Sequence, residues 1–117
     1  MKYLSITLKN DHILVDVDQI MYLMADKSYT WIYLNNGKKY LSSKNLGKFD
    51  AVLIEKCEFP TSQFFRIHHG TIINTRFIRK INIKESYIEL SCGKEFRIAQ
   101  RKKVRFKKIL SQFTQFV

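Results

Sequence analysis

Two adjacent histidines, His68 and His69, lie in the segment Phe65-Arg66-Ile67-His68-His69-Gly70 and are the first candidates for chemistry. Histidine can ligate a metal, move a proton or hydrogen-bond a ligand. A metal site needs several convergent ligands. Neighbours in a strand point to opposite faces, so this pair cannot chelate one ion together. His12 has no ligand-like spacing to them, and no Asp or Glu lies between residues 59 and 84. The missing carboxylate also counts against a small histidine-dependent hydrolase. No G-x-S-x-G, phosphate-cradling glycine loop or H-E-x-x-H is present. The expectation is no metal, no cofactor and no enzymatic activity. One histidine fits a buried, hydrogen-bonded core position, and the other a group that reads a base edge or a phosphate.

The second constellation is basic. Eight of the fifteen residues from 94 to 108 are Lys or Arg: Lys94, Arg97, Arg101, Lys102, Lys103, Arg105, Lys107 and Lys108. Neutralising phosphates with such side chains releases condensed counterions and gives salt-dependent affinity for nucleic acid. Arg101, Lys102 and Lys103 precede the apolar stripe of the last helix, where strand passes into helix. A turn there can aim side chains into a groove and offer amide groups to a phosphate. Lys107 and Lys108 read as a solvated helix face. A third segment, Ala25-Asp26-Lys27-Ser28-Tyr29, is a polar break between apolar strands. Lys27, Ser28 and Tyr29 can donate to phosphates or bases, though a plain exposed turn explains them equally well.

These groups sit in a chain of 117 residues, one domain's worth, and residues 1–117 are expected to form a single unit. Hydrophobic residues make up 45% and sixteen residues are aromatic, which excludes a disordered tail. Net charge is +11, distributed unevenly. Residues 1–60 hold eight Lys/Arg against seven Asp/Glu, and residues 61–117 hold thirteen against three. A near-neutral half joined to a strongly basic half suggests a face for polyanions. Cys57 and Cys92 form no C-x-x-C pair and read as small buried hydrophobes in a reducing compartment. The N-terminus alternates instead of forming a signal-peptide core, and no run is long enough to span a membrane. A cytoplasmic protein without membrane contact is expected.

Period-two patterning dominates the elements that must position these groups. Strands are expected at 3–8, 13–17, 29–34 and 38–42, with Asn35-Asn36-Gly37 closing a hairpin. Tyr29, Trp31 and Tyr33 share one strand face, at least half of it turned to the core. Leu46, Phe49, Val52 and Leu53 recur at helical spacing, so a helix is expected over 44–55, capped by Ser42 or Ser43 and followed by Pro60. Strands return at Ile72-Ile73, 77–83, 87–91 and 94–99, with Cys92-Gly93 as a turn. In the last pair Ile88, Leu90, Phe96 and Ile98 face inward. The tail, 101–117, is an amphipathic helix with Phe106, Ile109, Leu110, Phe113 and Val117 as its apolar stripe.

Four blocks, in order, resemble the LytTR family of DNA-binding domains. Ile20-Met21-Tyr22-Leu23-Met24-Ala25 followed by Ser28-Tyr29-Thr30 is similar to the family's "I-x-Y-I-E-A" strand and "N-Y-T". Ser42-Ser43-Lys44-Asn45-Leu46 is similar to "S-x-K-x-L". Phe65 through Asn74 resembles the most specific block, "F-x-R-I-H-R-S-x-I-V-N". Gly93 through Lys102 resembles the closing "G-x-x-x-x-V-S-R-R". The resemblance covers about residues 3–110. It implies a mostly-β, elongated antiparallel domain with one short mid-chain helix and a C-terminal amphipathic helix. Two loops would enter successive major grooves of direct repeats upstream of genes.

By the same resemblance, Tyr29, His69 and Arg101 fall on groove-reading positions, and His68 matches a histidine that supports its loop. Ala99-Gln100 replaces the usual "V-S", so the family's serine phosphate contact is either lost or taken over by Gln100. Lys27, Arg97, Lys102 and Lys103 are expected on phosphates. The implied partner is double-stranded DNA, with room for a second copy on the repeat. Family members usually follow a receiver domain; here that domain is expected to be separate or missing. The competing binding class is a sequence-nonspecific RNA or nucleic-acid module. It would need exposed stacking aromatics, and only Tyr29, Trp31 and Tyr33 form such a row.

Overall fold

Consecutive apolar residues, Ile20 through Leu23 and Ile72-Ile73, build a central sheet that is buried on both faces. A computed structural model describes residues 3–8, 10–55 and 63–113, without the side chain of Phe113. Its strands are β1 (Tyr3–Thr7), β2 (His12–Asp16), β3 (Ile20–Asp26), β4 (Tyr29–Leu34), β5 (Lys39–Ser42), β6 (Phe64–His68), β7 (Thr71–Asn74), β8 (Ile78–Asn82), β9 (Tyr87–Leu90) and β10 (Glu95–Arg97). Two helices, α1 (Leu46–Asp50) and α2 (Lys103–Phe113), complete the regular elements, apart from short 3-10 turns and one π turn. The central sheet has the order β5-β4-β3-β7-β6, and a two-stranded β1-β2 sheet and a three-stranded β10-β9-β8 sheet accompany it. All pairings are antiparallel. The molecule measures 49 × 27 × 26 Å, so the expected elongated, mostly-β architecture is what the chain forms.

Successive residues of the central strands feed two cores. Leu23, Ile32, Leu34, Phe64 and Ile72 pack with Ile6, Val15, Leu46, Phe49 and Leu53. Tyr22, Phe65, Ile67 and Ile73 pack with Ile88, Leu90, Phe96, Ile98, Phe106 and Leu110. Burying each of these aliphatic side chains stabilises the fold by about 1.5–3 kcal/mol relative to exposure. The inward set Ile88, Leu90, Phe96 and Ile98 is as the alternation indicates.

Several local expectations change. The polar break at 25–29 is narrower than a loop: Asp26 pairs with Tyr29, and only Lys27 and Ser28 lie between the strands. Lys27 takes the left-handed backbone (φ 59°) that such a tight hairpin demands. The mid-chain α-helix spans only Leu46–Asp50 and passes into a π turn over Ala51–Glu55. Val52, assigned to its apolar stripe, is 53% exposed. Neither Ser42 nor Ser43 caps it. Ser42 is still in β5, opposite Thr30, so Asn45 takes the cap and accepts from the Lys48 amide at 3.0 Å. Cys92 is exposed, not buried, because it lies in the β9–β10 turn. Cys57, Pro60, Val117 and the Phe113 side chain lie outside what is described.

Candidate nucleic-acid interface

Three segments far apart in sequence converge at one end of the central sheet. The first is the β3–β4 hairpin tip, with Lys27, Ser28 and Tyr29 all exposed. The second is the β6–β7 turn, His69-Gly70. The third is the passage from β10 into α2, where Arg97 ends the strand and Gln100–Lys102 form a 3-10 turn. Backbone hydrogen bonds join them. The Ala25 amide donates to the Gly70 carbonyl at 2.9 Å, and the Ala99 amide donates to the Ile67 carbonyl at 3.0 Å. The hairpin, the histidine turn and the basic junction thus form one contiguous surface.

Each segment has a local reason for its shape. At the histidine turn, Ile67 takes the core position with no exposure, which leaves both histidines outside. The expected buried core histidine is therefore absent from the pair. His68 turns back on its own loop, its Nδ1 accepting from the Gly70 amide at 3.2 Å. Arg66 holds the same turn from the other side. Its Nη2 and Nε donate to the His69 carbonyl at 2.8 and 3.2 Å. His69 itself remains exposed at the apex.

At the basic junction, Ile98 anchors the chain in the core and Phe106 and Leu110 anchor the helix that follows. Arg97 is exposed just before Ile98; between the anchors Gln100 and Arg101 are exposed, and Lys102 and Lys103 are half-buried. No side chain caps the 3-10 turn. Among the described residues, ion pairs form at Arg66–Asp50, Arg76–Asp18 and Arg79–Glu89. None engages Lys27, Arg97, Arg101, Lys102 or Lys103, so their charge is available to a polyanion.

Two contributors escaped the sequence reading as site residues. Arg66 and Lys44 each stand inside a family-like block without a role that pattern alone assigns. Lys44 is exposed in the β5–α1 connection, and its carbonyl accepts from the buried Thr30 hydroxyl at 2.8 Å. Thr30 pairs with both Ala25 and Ser42, which places Lys44 beside the first hairpin. The signal for Arg66 was its place one residue before a core isoleucine in a loop-forming block.

The aromatic row of β4 is only partly open. Tyr29 is 47% exposed at the tip. Tyr33 stacks on Tyr22 with centroids 4.4 Å apart. Trp31 is half-buried, donates through Nε1 to Asp26 at 3.2 Å, and has the Lys39 ammonium 4.8 Å from its ring centroid. Burial pushes the Tyr22 phenol up to about 12, reinforced by neighbouring Tyr33 and Cys92. A shallow groove of about 380 Å³ is lined by Glu85, Tyr87, Glu95, Phe96 and Arg97. Among the described residues, no group of three or more His, Cys, Asp or Glu could hold a metal, and no helix is long and apolar enough to cross a membrane.

The family model described as the LytTr DNA-binding domain matches residues 10–111. No curated protein matches the chain. A solved Bacillus cereus structure superposes with a TM-score of 0.74 at 21% identity, covering 94% of this chain and 97% of that one. It is described as the LytTr DNA-binding domain of a protein assigned as a methyl-accepting/DNA response regulator.

Proposed function

Because the chain belongs to the LytTr DNA-binding domain family, we propose that residues 1–117 act as one module that reads promoter DNA as direct repeats. Its loops enter successive major grooves. The observation that carries this reading is the convergence of the Lys27 hairpin, the His69 turn and the Arg101 junction on one end of the sheet, joined by the Ala25–Gly70 and Ala99–Ile67 hydrogen bonds. Tyr29, His69 and Arg101 contact bases. Arginine suits the O6 and N7 acceptors of guanine. Lys27, Arg97, Gln100, Lys102 and Lys103 contact phosphates and set the register, with Ser28 assisting at the tip. His68 supports the histidine turn through its bond to Gly70. The partner is double-stranded DNA, with a second copy on the adjacent repeat, and a receiver domain would supply the input from elsewhere. The protein catalyses no reaction and works in the cytoplasm.

Genomic selection with the purified chain at near-physiological salt tests the proposal. Enrichment of one short element, recurring at fixed spacing on the same strand, is the expected result. Flat enrichment with binding that vanishes at moderate salt would leave only a nonspecific polyanion binder. The stacking of Tyr33 and the bonds to Trp31 already favour the duplex reading over single-strand stacking, since those rings are occupied.

A further inference from the structure

The mid-chain helix α1 is tied at its two ends to two of the three loops. Next to its N-cap, Asn45, the Lys44 carbonyl accepts from Thr30 at 2.8 Å, in the first hairpin. At its last residue, Asp50 accepts from Arg66 Nη1 at 3.1 Å. The same guanidinium donates through Nη2 and Nε to the His69 carbonyl at 2.8 and 3.2 Å. Arg66 and Asp50 are mostly covered, with 25% and 16% of their side chains exposed. A planar fork that meets a carboxylate on one edge and a carbonyl on the other has little freedom left. The π turn begins directly after Asp50. Such local widening of a helix recurs at functional positions.

From this geometry we infer that Arg66, held by Asp50, is a positioning residue that fixes how His69 is presented to DNA. The inference rests on the reading above, in which His69 contacts a base. Arg66 itself is turned inward, toward the carboxylate and the loop carbonyl, and neutralises no phosphate. Helix α1 acts as a brace: through Lys44 it registers the Tyr29 hairpin, and through Asp50 and Arg66 it registers the histidine turn. Selectivity between sequences therefore depends on an ion pair that never touches a base.

Charge gives the decisive contrast. Asp50→Asn removes a negative charge near a polyanion, so simple electrostatics predicts tighter binding to every DNA. Positioning predicts weaker discrimination instead. The experiment compares wild type, Asp50→Asn and Arg66→Lys by fluorescence anisotropy. The probes are a duplex bearing the selected element and a random-sequence duplex, and the folded fraction is checked by circular dichroism. Lysine keeps the charge of Arg66 but cannot form the fork. Both variants should lose about tenfold in affinity for the element and change by less than about twofold on the random duplex. The dependence on salt should keep its slope. Asp50→Asn is the milder change and covers the case in which Arg66→Lys folds poorly. An unchanged ratio of the two affinities in Asp50→Asn, or a uniform gain on both duplexes, overturns the inference while the DNA-reading proposal stands. Equal affinity of the wild type for both duplexes overturns that proposal, and this inference with it.

Discussion

The amide of Ala25 donates to the carbonyl of Gly70 at 2.9 Å, across a sheet in which β3 and β7 are neighbours although 45 residues separate the two groups. That bond makes the Lys27 hairpin and the His69 turn parts of one surface. The bond from Ala99 to Ile67 adds the Arg101 junction to it. A sheet end that carries three loops suits groove reading, because the scaffold fixes spacing while the side chains choose contacts.

Base reading and phosphate contact should separate by mutation. Arg101→Ala is expected to cost about 1–3 kcal/mol on the selected element and to relax selectivity at one position. Lys103→Ala should weaken all sequences alike and reduce the salt slope by about one. Binding isotherms at three salt concentrations, on element and random duplex, measure both. Identical behaviour of the two variants would show that the division of roles is wrong.

Glycine is needed at one turn and not at another. Gly93 has φ +91°, a conformation that costs about 1 kcal/mol once a Cβ is present. Gly70 has no such backbone, and a Cβ there would meet Ala25 Cβ at an ordinary 3.9 Å. Urea denaturation should thus place Gly93→Ala about 1 kcal/mol below wild type and Gly70→Ala within about 0.5 kcal/mol of it.

Asn74 is fully buried and serves two masters: its Nδ2 donates to the Ile20 carbonyl at 2.8 Å and its Oδ1 accepts from the Arg76 amide at 3.0 Å. Asn74→Ala strands both backbone groups. The expected loss is about 2–4 kcal/mol, measured by chemical denaturation. A loss below about 1 kcal/mol would mean that water or a shifted turn replaces both bonds.

The Tyr22 phenol titrates near 12 in the folded chain and near its ordinary 10.0 when unfolded. Between those values the unfolded chain has released the proton and the folded one has not. Stability from this group is therefore complete below about pH 10 and declines as pH rises toward 12. Replacing Tyr22 with Phe should flatten that decline, read as the difference between the two proteins' thermal midpoints from pH 9 to 12. Parallel curves would place the phenol in water.

Much of the fold was legible because it follows from short-range rules. Alternation in 29–34 separates two faces, but the buried one is Thr30, Ile32 and Leu34, whereas the aromatic face expected to be at least half in the core is the more open one. Asn35-Asn36-Gly37 and Cys92-Gly93 make their turns, with both glycines at positive φ. Amphipathic spacing in the tail buries Phe106 and Leu110. The cap of α1 and the burial of Cys92 were misread for one reason. A local pattern identifies a residue able to cap or to hide, but strand pairing and turn position decide which one does.

By itself, the sequence determined the alternating strands, the turn positions and a basic second half, since each depends on a residue and its near neighbours. It also supplied a family resemblance spread over four blocks. Only the tertiary structure decided that the hairpin, the histidine turn and the basic junction share one end. The same holds for the exposure of both histidines and for the link from Arg66 to Asp50. Those facts rest on sheet order and on hydrogen bonds between segments tens of residues apart, and no local periodicity encodes which strands become neighbours.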